Sequence, residues 1–196
     1  MRTIPPHMEG KLMAAADLFA ERGLDASKME DVAAVTGIPK ATLYYYFTGK
    51  EEILSFLFQV VLGAVHEAVI AAAASEGTAA ERLRQVITAH LHVFAVYPTA
   101  SRALQFDLGR AARLPDIAAI VEASFVGPVS DILRAGKQDG SLRSVSDPRM
   151  NAIALLGAVT TVGINATLPE YPGTVDNTAT VLSDLILEGL MTKAAT

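Results

Sequence analysis

The chain has 196 residues, 51% of them apolar, which is enough to bury a core in one large or two small domains. It has no cysteine, which excludes a disulfide framework and a thiolate metal site. The net charge is −5, but residues 1–50 are neutral and residues 51–196 carry the whole excess, so nucleic-acid binding near the N-terminus is not excluded.

Helical periodicity predicts an all-α fold of about nine helices, because no stretch alternates long enough for a strand. The first helix is predicted from Pro6 to Arg22. Two short helices then lie between Ser27 and Lys50: Ser27 and Glu30 suggest a capping box, and Gly37 suggests the break between them. The remaining helices are predicted at about 50–74, 79–97, 99–111, 115–138 with a break at Gly127-Pro128, 148–167 and 175–192.

The helix that follows Pro39 has two unlike faces. Leu43 and Phe47 share one side and can pack inward, whereas Ala41 and Tyr45 point away from it. Small, hydroxyl-bearing and aromatic side chains on one face suit a helix that enters a major groove, as in a helix-turn-helix. The alternative is an ordinary surface helix with exposed tyrosines, and the periodicity alone leaves both open.

A series of motifs resembles the DNA-binding domain of the TetR family of transcriptional regulators. The resemblance implies a helix-turn-helix domain at 1–48 and a helical ligand-binding and dimerisation domain at 49–196. Pro39 and Gly49 stand where the family usually has serine, and Tyr45 where histidine is frequent. The motifs are Leu18-Phe19-Ala20-Glu21-Arg22-Gly23, Asp31-Val32-Ala33, Gly37, Thr42-Leu43-Tyr44-Tyr45-Tyr46-Phe47 and Lys50-Glu51-Glu52-Ile53-Leu54.

The resemblance also implies which residues contact DNA. The expected base contacts are Lys40, Ala41, Thr42 and Tyr45, and the expected phosphate contacts are Ser27, Lys28, Tyr44, Tyr46 and Lys50.

The last two helices are predicted to form a dimer interface. They carry small and apolar residues, which suit either ordinary core packing or a four-helix seam between two subunits; the resemblance favours the seam. The expected interface residues are Ala154, Gly157, Ala158, Thr161, Leu182, Leu185, Ile186 and Gly189.

The middle helices combine apolar faces with isolated polar groups, a mixture that is typical of a small-molecule site. Core packing is the alternative for each residue. The candidates are His90, Phe94, Gln105, Phe106, Phe125 and Asn165.

The resulting hypothesis is a homodimeric repressor that binds a palindromic double-stranded operator and is released by a small, mostly apolar effector, which the sequence does not identify. No catalytic motif, metal-ligand set or cofactor site appears, so we expect no enzyme. The rivals are a DNA-binding regulator without an effector and an enzyme on a helical bundle. No signal-peptide pattern occurs and the longest apolar run, Ala152 to Ile164, is too short to span a membrane, so we expect a cytoplasmic protein without membrane contact.

Overall fold

A computed structural model describes residues 3–103, 115–168, 170, 171 and 173–190. Within these ranges the chain is helical between its turns and contains no strand, so the predicted all-α class is confirmed. The chain forms two compact units, Met1–Val61 with Tyr97–Ile117, and Leu62–Val96 with Ala118–Thr196.

Most predicted helices lie within two residues of their predicted bounds. The first is interrupted at Met13, where Ala16 bonds back to the Met13 carbonyl three residues away, so one predicted helix becomes two. Residues 98–103 are also helical, and a π-helical turn spans Glu122–Val126. The helices are α1 (Pro6–Leu12), α2 (Ala14–Arg22), α3 (Met29–Thr36), α4 (Lys40–Tyr46), α5 (Lys50–Ala73), α6 (Ala79–Val96), α7 (Pro115–Val121), α8 (Gly127–Asp139), α9 (Pro148–Asn165) and α10 (Val175–Leu190).

The core of the first unit fixes the orientation of α4. Leu43 and Phe47 are buried, as their spacing predicts, and the Phe47 ring meets the ring of Phe56 edge-on at 6.1 Å between centroids. Helices α3 and α4 are joined at Gly37, which ends α3 in the left-handed conformation, also as predicted. The remaining buried residues of α1 to α3 include Met8, Leu12, Ala15, Leu18, Phe19 and Val32.

The core of the second unit is organised around α6, which contacts α8, α9 and α10. Its inward residues recur at helical spacing and are almost fully buried. Because three helices cover it, α6 holds one polar residue, His90, in an apolar interior. The buried residues of α6 are Ala79, Leu83, Val86, Ile87, His90, Leu91, Val93 and Phe94.

The break predicted at Gly127-Pro128 is a π-helical turn just before these residues. The Gly127 N–H donates to the carbonyl of Glu122, five residues back, and Pro128 has no N–H to continue the α-helical ladder. The Phe125 side chain of this turn is buried.

Helix α5 contributes residues to both units and is long and apolar enough, by length and composition, to cross a membrane. The longest apolar run of the sequence, Ala152 to Ile164, lies in a different helix, α9. A buried helix of a globular fold has the same composition, and Leu57, Val61, Val65 and Val69 of α5 are buried in this structure. The apolar character of α5 therefore has a packing explanation.

Candidate nucleic-acid interface and effector site

The outer face of α4 is presented to solvent by the burial of the opposite face. Tyr44 and Tyr45 are 51% and 60% exposed, and Ala41 is exposed beside them. Tyr46 is half-buried, and its ring meets the Tyr45 ring edge-on at 4.9 Å between centroids. Thr42 is half-buried as well. The predicted base-contacting residues of α4 thus share one accessible surface of small and aromatic groups.

Lys40, at the first position of α4, pairs with a carboxylate of the preceding helix. Its ammonium donates to Glu30 of α3 and lies 5.7 Å from the centroid of the Tyr44 ring. The hydrogen bond with Glu30 raises the pKa of Lys40 above its ordinary value. Sequence reasoning missed Glu30 as a partner, because periodicity within one helix carries no signal for a contact between two. Before the Lys40 ammonium can contact a base or a phosphate, its ion pair with Glu30 must break.

Lys50 braces the loop that precedes α3. Its ammonium donates to the carbonyl of Ser27 at 2.9 Å and to the carbonyl of Asp25 at 3.1 Å. The Ser27 side chain is buried, and its hydroxyl donates to the Gly23 carbonyl at 2.8 Å. This geometry commits the Ser27 hydroxyl to the loop, so we remove Ser27 from the expected phosphate contacts.

The predicted capping box of Ser27 and Glu30 is wrong. Helix α3 begins at Met29, and the Asp31 carboxylate accepts the Lys28 N–H at 2.9 Å. Glu30 and Asp31 are adjacent acidic residues. The capping-box pattern, counted from Ser27, selects Glu30, whereas the structure uses Asp31. The observed start lies one residue later, which places the Asp31 carboxylate within reach of the N–H group at the helix start.

In the second unit, His90 is buried between two phenyl rings. Its ring centroid lies 4.9 Å from that of Phe94 and 5.1 Å from that of Phe125, and the residue is only 3% exposed. Among the residues that the structure describes, no group forms a hydrogen bond with its Nδ1 atom. Burial lowers the pKa of His90 to about 3, so the imidazole is neutral at physiological pH. Three of the six predicted effector residues are thereby brought into contact.

The other predicted effector residues do not join this cluster. Asn165 is exposed, and its amide donates to the Thr161 carbonyl at 2.8 Å; this prediction is wrong because the side chain turns back along its own helix. Gln105 and Phe106 lie outside the described residues. Gly163 was missed: a Cβ at this position would stand 2.2 Å from the Phe94 ring, so glycine is what allows α9 to approach that ring.

The predicted interface residues divide into an outer and an inner set. Leu185 is 71% exposed, and beside it an open groove of about 290 Å³ runs between α9 and α10. The groove includes Ala154, Ala158, Ile186 and Gly189, and Gly157 and Thr161 are also exposed. Leu182 is buried within its own protomer, because α10 turns that position toward the interior. Leu182 therefore belongs to the core of the protomer and not to the exposed surface of α10.

Comparison with known proteins bears on the surface of α4, on the His90 cluster and on the outer surface of α9 and α10. A family model described as "Bacterial regulatory proteins, tetR family" matches residues 12–55, and one described as "Tetracyclin repressor-like, C-terminal domain" matches residues 76–163. The HTH-type transcriptional repressor KstR2 of Rhodococcus jostii (strain RHA1) is 30% identical over 183 residues, 90% of this chain and 87% of the relative. The fatty acid metabolism regulator protein of Bacillus subtilis (strain 168) is 28% identical over 74% of this chain and 76% of its own length.

A solved structure supports the same assignment. The TetR family transcriptional regulator PfmR from Thermus thermophilus superposes with a TM-score of 0.79 at 27% identity, covering 91% of this chain and 97% of its own. The predicted architecture of an N-terminal helix-turn-helix domain and a C-terminal helical domain is confirmed by these likenesses, as is the expectation of a regulator and not an enzyme. The chain therefore belongs to the TetR family of transcriptional regulators and binds DNA through its N-terminal helix-turn-helix.

Proposed function

We propose that the protein is a cytoplasmic repressor that binds a palindromic operator as a homodimer and leaves it when a small, mostly apolar effector binds. The observation that supports operator binding through α4 is its exposed outer face. Buried Leu43 and Phe47 hold that face in place. The repressor role is supported by the name of a relative that matches 90% of the chain, the transcriptional repressor KstR2.

The proposed contacts follow the accessibility of the side chains. Lys40, Ala41, Thr42 and Tyr45 approach base edges, and Lys28, Tyr44 and Tyr46 approach phosphates. Lys50 acts mainly through the loop it braces, since its ammonium already serves two carbonyls. Two copies of this surface in successive major grooves require an operator with two-fold symmetry.

The homodimer is supported by the outer surface of α9 and α10. Large apolar side chains at Leu185, Val181 and Met150 are exposed by 71%, 62% and 57%, and the same two helices line a groove that includes small residues. Such a patch is unusual for a surface that stays in water. Helices with apolar and small residues on one face pack well against a second copy of the same pair.

The effector is supported by the relatives and by the interior of the second unit. The Bacillus subtilis relative is named as a regulator of fatty acid metabolism, a pathway of apolar compounds. The His90 cluster offers aromatic walls and one polar group, which is the composition of a small-molecule site.

Selection of bound DNA from a random pool tests the DNA-reading part. We expect a palindromic consensus for the wild-type protein and a changed consensus for Tyr45→Ala. Tyr171→Ala is the matched control, because Tyr171 is another exposed tyrosine but lies in the second unit. Recovery of the same consensus from Tyr45→Ala and wild-type protein would remove Tyr45 from the reading face.

A further inference from the structure

The interior of the second unit contains a polar atom that the fold leaves unsatisfied. Nδ1 of His90 is buried and has no hydrogen-bond partner in the described part of the chain, while the imidazole itself lies against two phenyl rings. A buried polar group without a partner is unfavourable for folding, and in native structures such a group calls for an explanation.

Folding alone does not explain the choice of histidine. An apolar side chain of similar shape would fill the same volume without the unsatisfied nitrogen, and such replacements are neutral or stabilising. A ligand atom that bonds Nδ1 would supply the missing partner. The ring can meet either kind of partner, since Nδ1 donates in one neutral tautomer and accepts in the other.

We propose that His90 is the polar anchor of the effector site and selects an effector whose buried end carries a neutral hydroxyl or uncharged carbonyl in place of a carboxylate. This proposal rests on the proposed function, because it specifies the chemistry of the effector named there. The walls that position this end are the rings of Phe94 and Phe125.

The preference for a neutral group follows from the surroundings of the imidazole. A carboxylate placed beside it would lose its hydration, and the neutral imidazole would offer it no positive charge, which is a large cost in an apolar interior. The pKa of His90, lowered to about 3 by burial, means that the imidazolium is roughly ten-thousandfold less populated than the neutral ring at pH 7. A hydroxyl or a carbonyl oxygen is desolvated more cheaply and bonds the neutral ring directly.

Gly163 and the π-helical turn hold the two walls. A side chain at Gly163 would collide with the Phe94 ring, and Phe125 is carried by the turn Glu122–Val126. Three elements therefore surround the imidazole: α6, α9 and the π-helical turn. A flat or chain-like apolar group matches these aromatic walls.

The test uses three probes of one chain length: 1-octanol, methyl octanoate and octanoate. Calorimetric titration at pH 8 is expected to give at least tenfold tighter binding of the two neutral probes. His90→Phe should weaken the neutral probes by about tenfold, the loss of one hydrogen bond, while its melting temperature stays at or above that of wild type. Ser183→Ala is the matched control, because it removes another buried polar group that bonds none of the described residues, and it should leave all three affinities unchanged.

A direct measurement on the wild-type protein keeps the test independent of the variant's folding. The ¹⁵N resonances of the His90 ring should move when 1-octanol is added and stay unchanged with octanoate. Equal binding of octanoate, binding of none of the three probes, unchanged affinity in His90→Phe, or a silent His90 ring would each overturn the proposal.

Operator binding without any probe is measured separately. If the wild-type protein binds 1-octanol at His90 but binds no operator, the proposed repressor function is contradicted and the proposed role of His90 is not. A protein that binds its operator but ignores the neutral probes contradicts the anchor alone.

Discussion

His90 shows how a single side chain can couple stability to pH. Its folded-state pKa is about 3 against an ordinary value of 6.5, because burial disfavours the imidazolium. Between these two values the unfolded chain binds a proton that the folded chain does not. The free energy of unfolding therefore rises with pH through this window. The contribution of neutral His90 to this free energy is complete above about pH 6.5 and is lost as the pH falls toward 3.

We expect His90 to account for about 3 kcal/mol of the stability lost between pH 7 and pH 4. Urea unfolding of wild type and His90→Phe at both pH values measures this, since the variant lacks the titrating group but keeps the carboxylates that also respond to acid. The difference between the two proteins should grow toward low pH in favour of the variant. Parallel curves for both proteins would show that His90 is accessible to protons in the folded state.

Lys50 is a cation whose hydrogen bonds stabilise the fold. We expect Lys50→Ala to lower the free energy of unfolding by about 1–2 kcal/mol, because the carbonyls of Asp25 and Ser27 lose a charged donor. DNA affinity should fall for all sequences alike, with little change in its dependence on salt. Denaturation and binding isotherms at several salt concentrations provide both readings.

Lys28→Ala is the counterpart of Lys50→Ala. Lys28 is exposed at the start of α3, so we expect its loss to reduce the logarithmic salt slope by about one without lowering stability. A loss of about one unit of slope in Lys50→Ala with unchanged stability would instead make Lys50 a phosphate contact.

At the scale of helices, Gly163 sets the distance between α9 and α6. We expect Gly163→Ala to cost about 1–3 kcal/mol, because its Cβ would overlap the buried Phe94 ring at 2.2 Å. Gly63→Ala on α5 is the control: nothing lies within 4 Å of a Cβ there, so the helix propensity of alanine should raise stability. A Gly163→Ala variant as stable as wild type would mean that the Phe94 ring has room to move.

The helices could be predicted from the sequence because apolar residues recur at helical spacing within each one and because residues near its ends mark where it stops. Gly37 ends α3 and Gly140 follows α8, both with positive φ, and Leu43 and Phe47 mark the buried face of α4. The partners of Lys40 and Lys50 could not be predicted, because they come from other elements. The same holds for the surroundings of His90, which depend on how neighbouring helices pack. Asn165 is a different case, because its amide bonds the Thr161 carbonyl of its own helix.

For the whole molecule, the exposed surface of α10 gives a clean test of the homodimer. Leu185 is 71% exposed in the protomer, so a charge there costs the isolated protomer little. We expect Leu185→Glu to fold normally but to sediment as a monomer, because a second copy would bury the carboxylate without a partner. Val96→Glu, on α6 and 69% exposed, should remain a dimer. A dimeric Leu185→Glu variant would place the interface elsewhere.

The apolar surface around Leu185 also has a consequence for the cell that makes this protein. If two copies must close that surface before either can hold a half-site, the amount of operator-competent protein varies with the square of chain concentration below the dimer dissociation constant. Occupancy of the operator would then rise more steeply than in proportion to the protein as it accumulates, and fall in the same way as growth dilutes it. The leucine and valine exposed on α10 would thus make gene control depend on how much of the protein the cell contains.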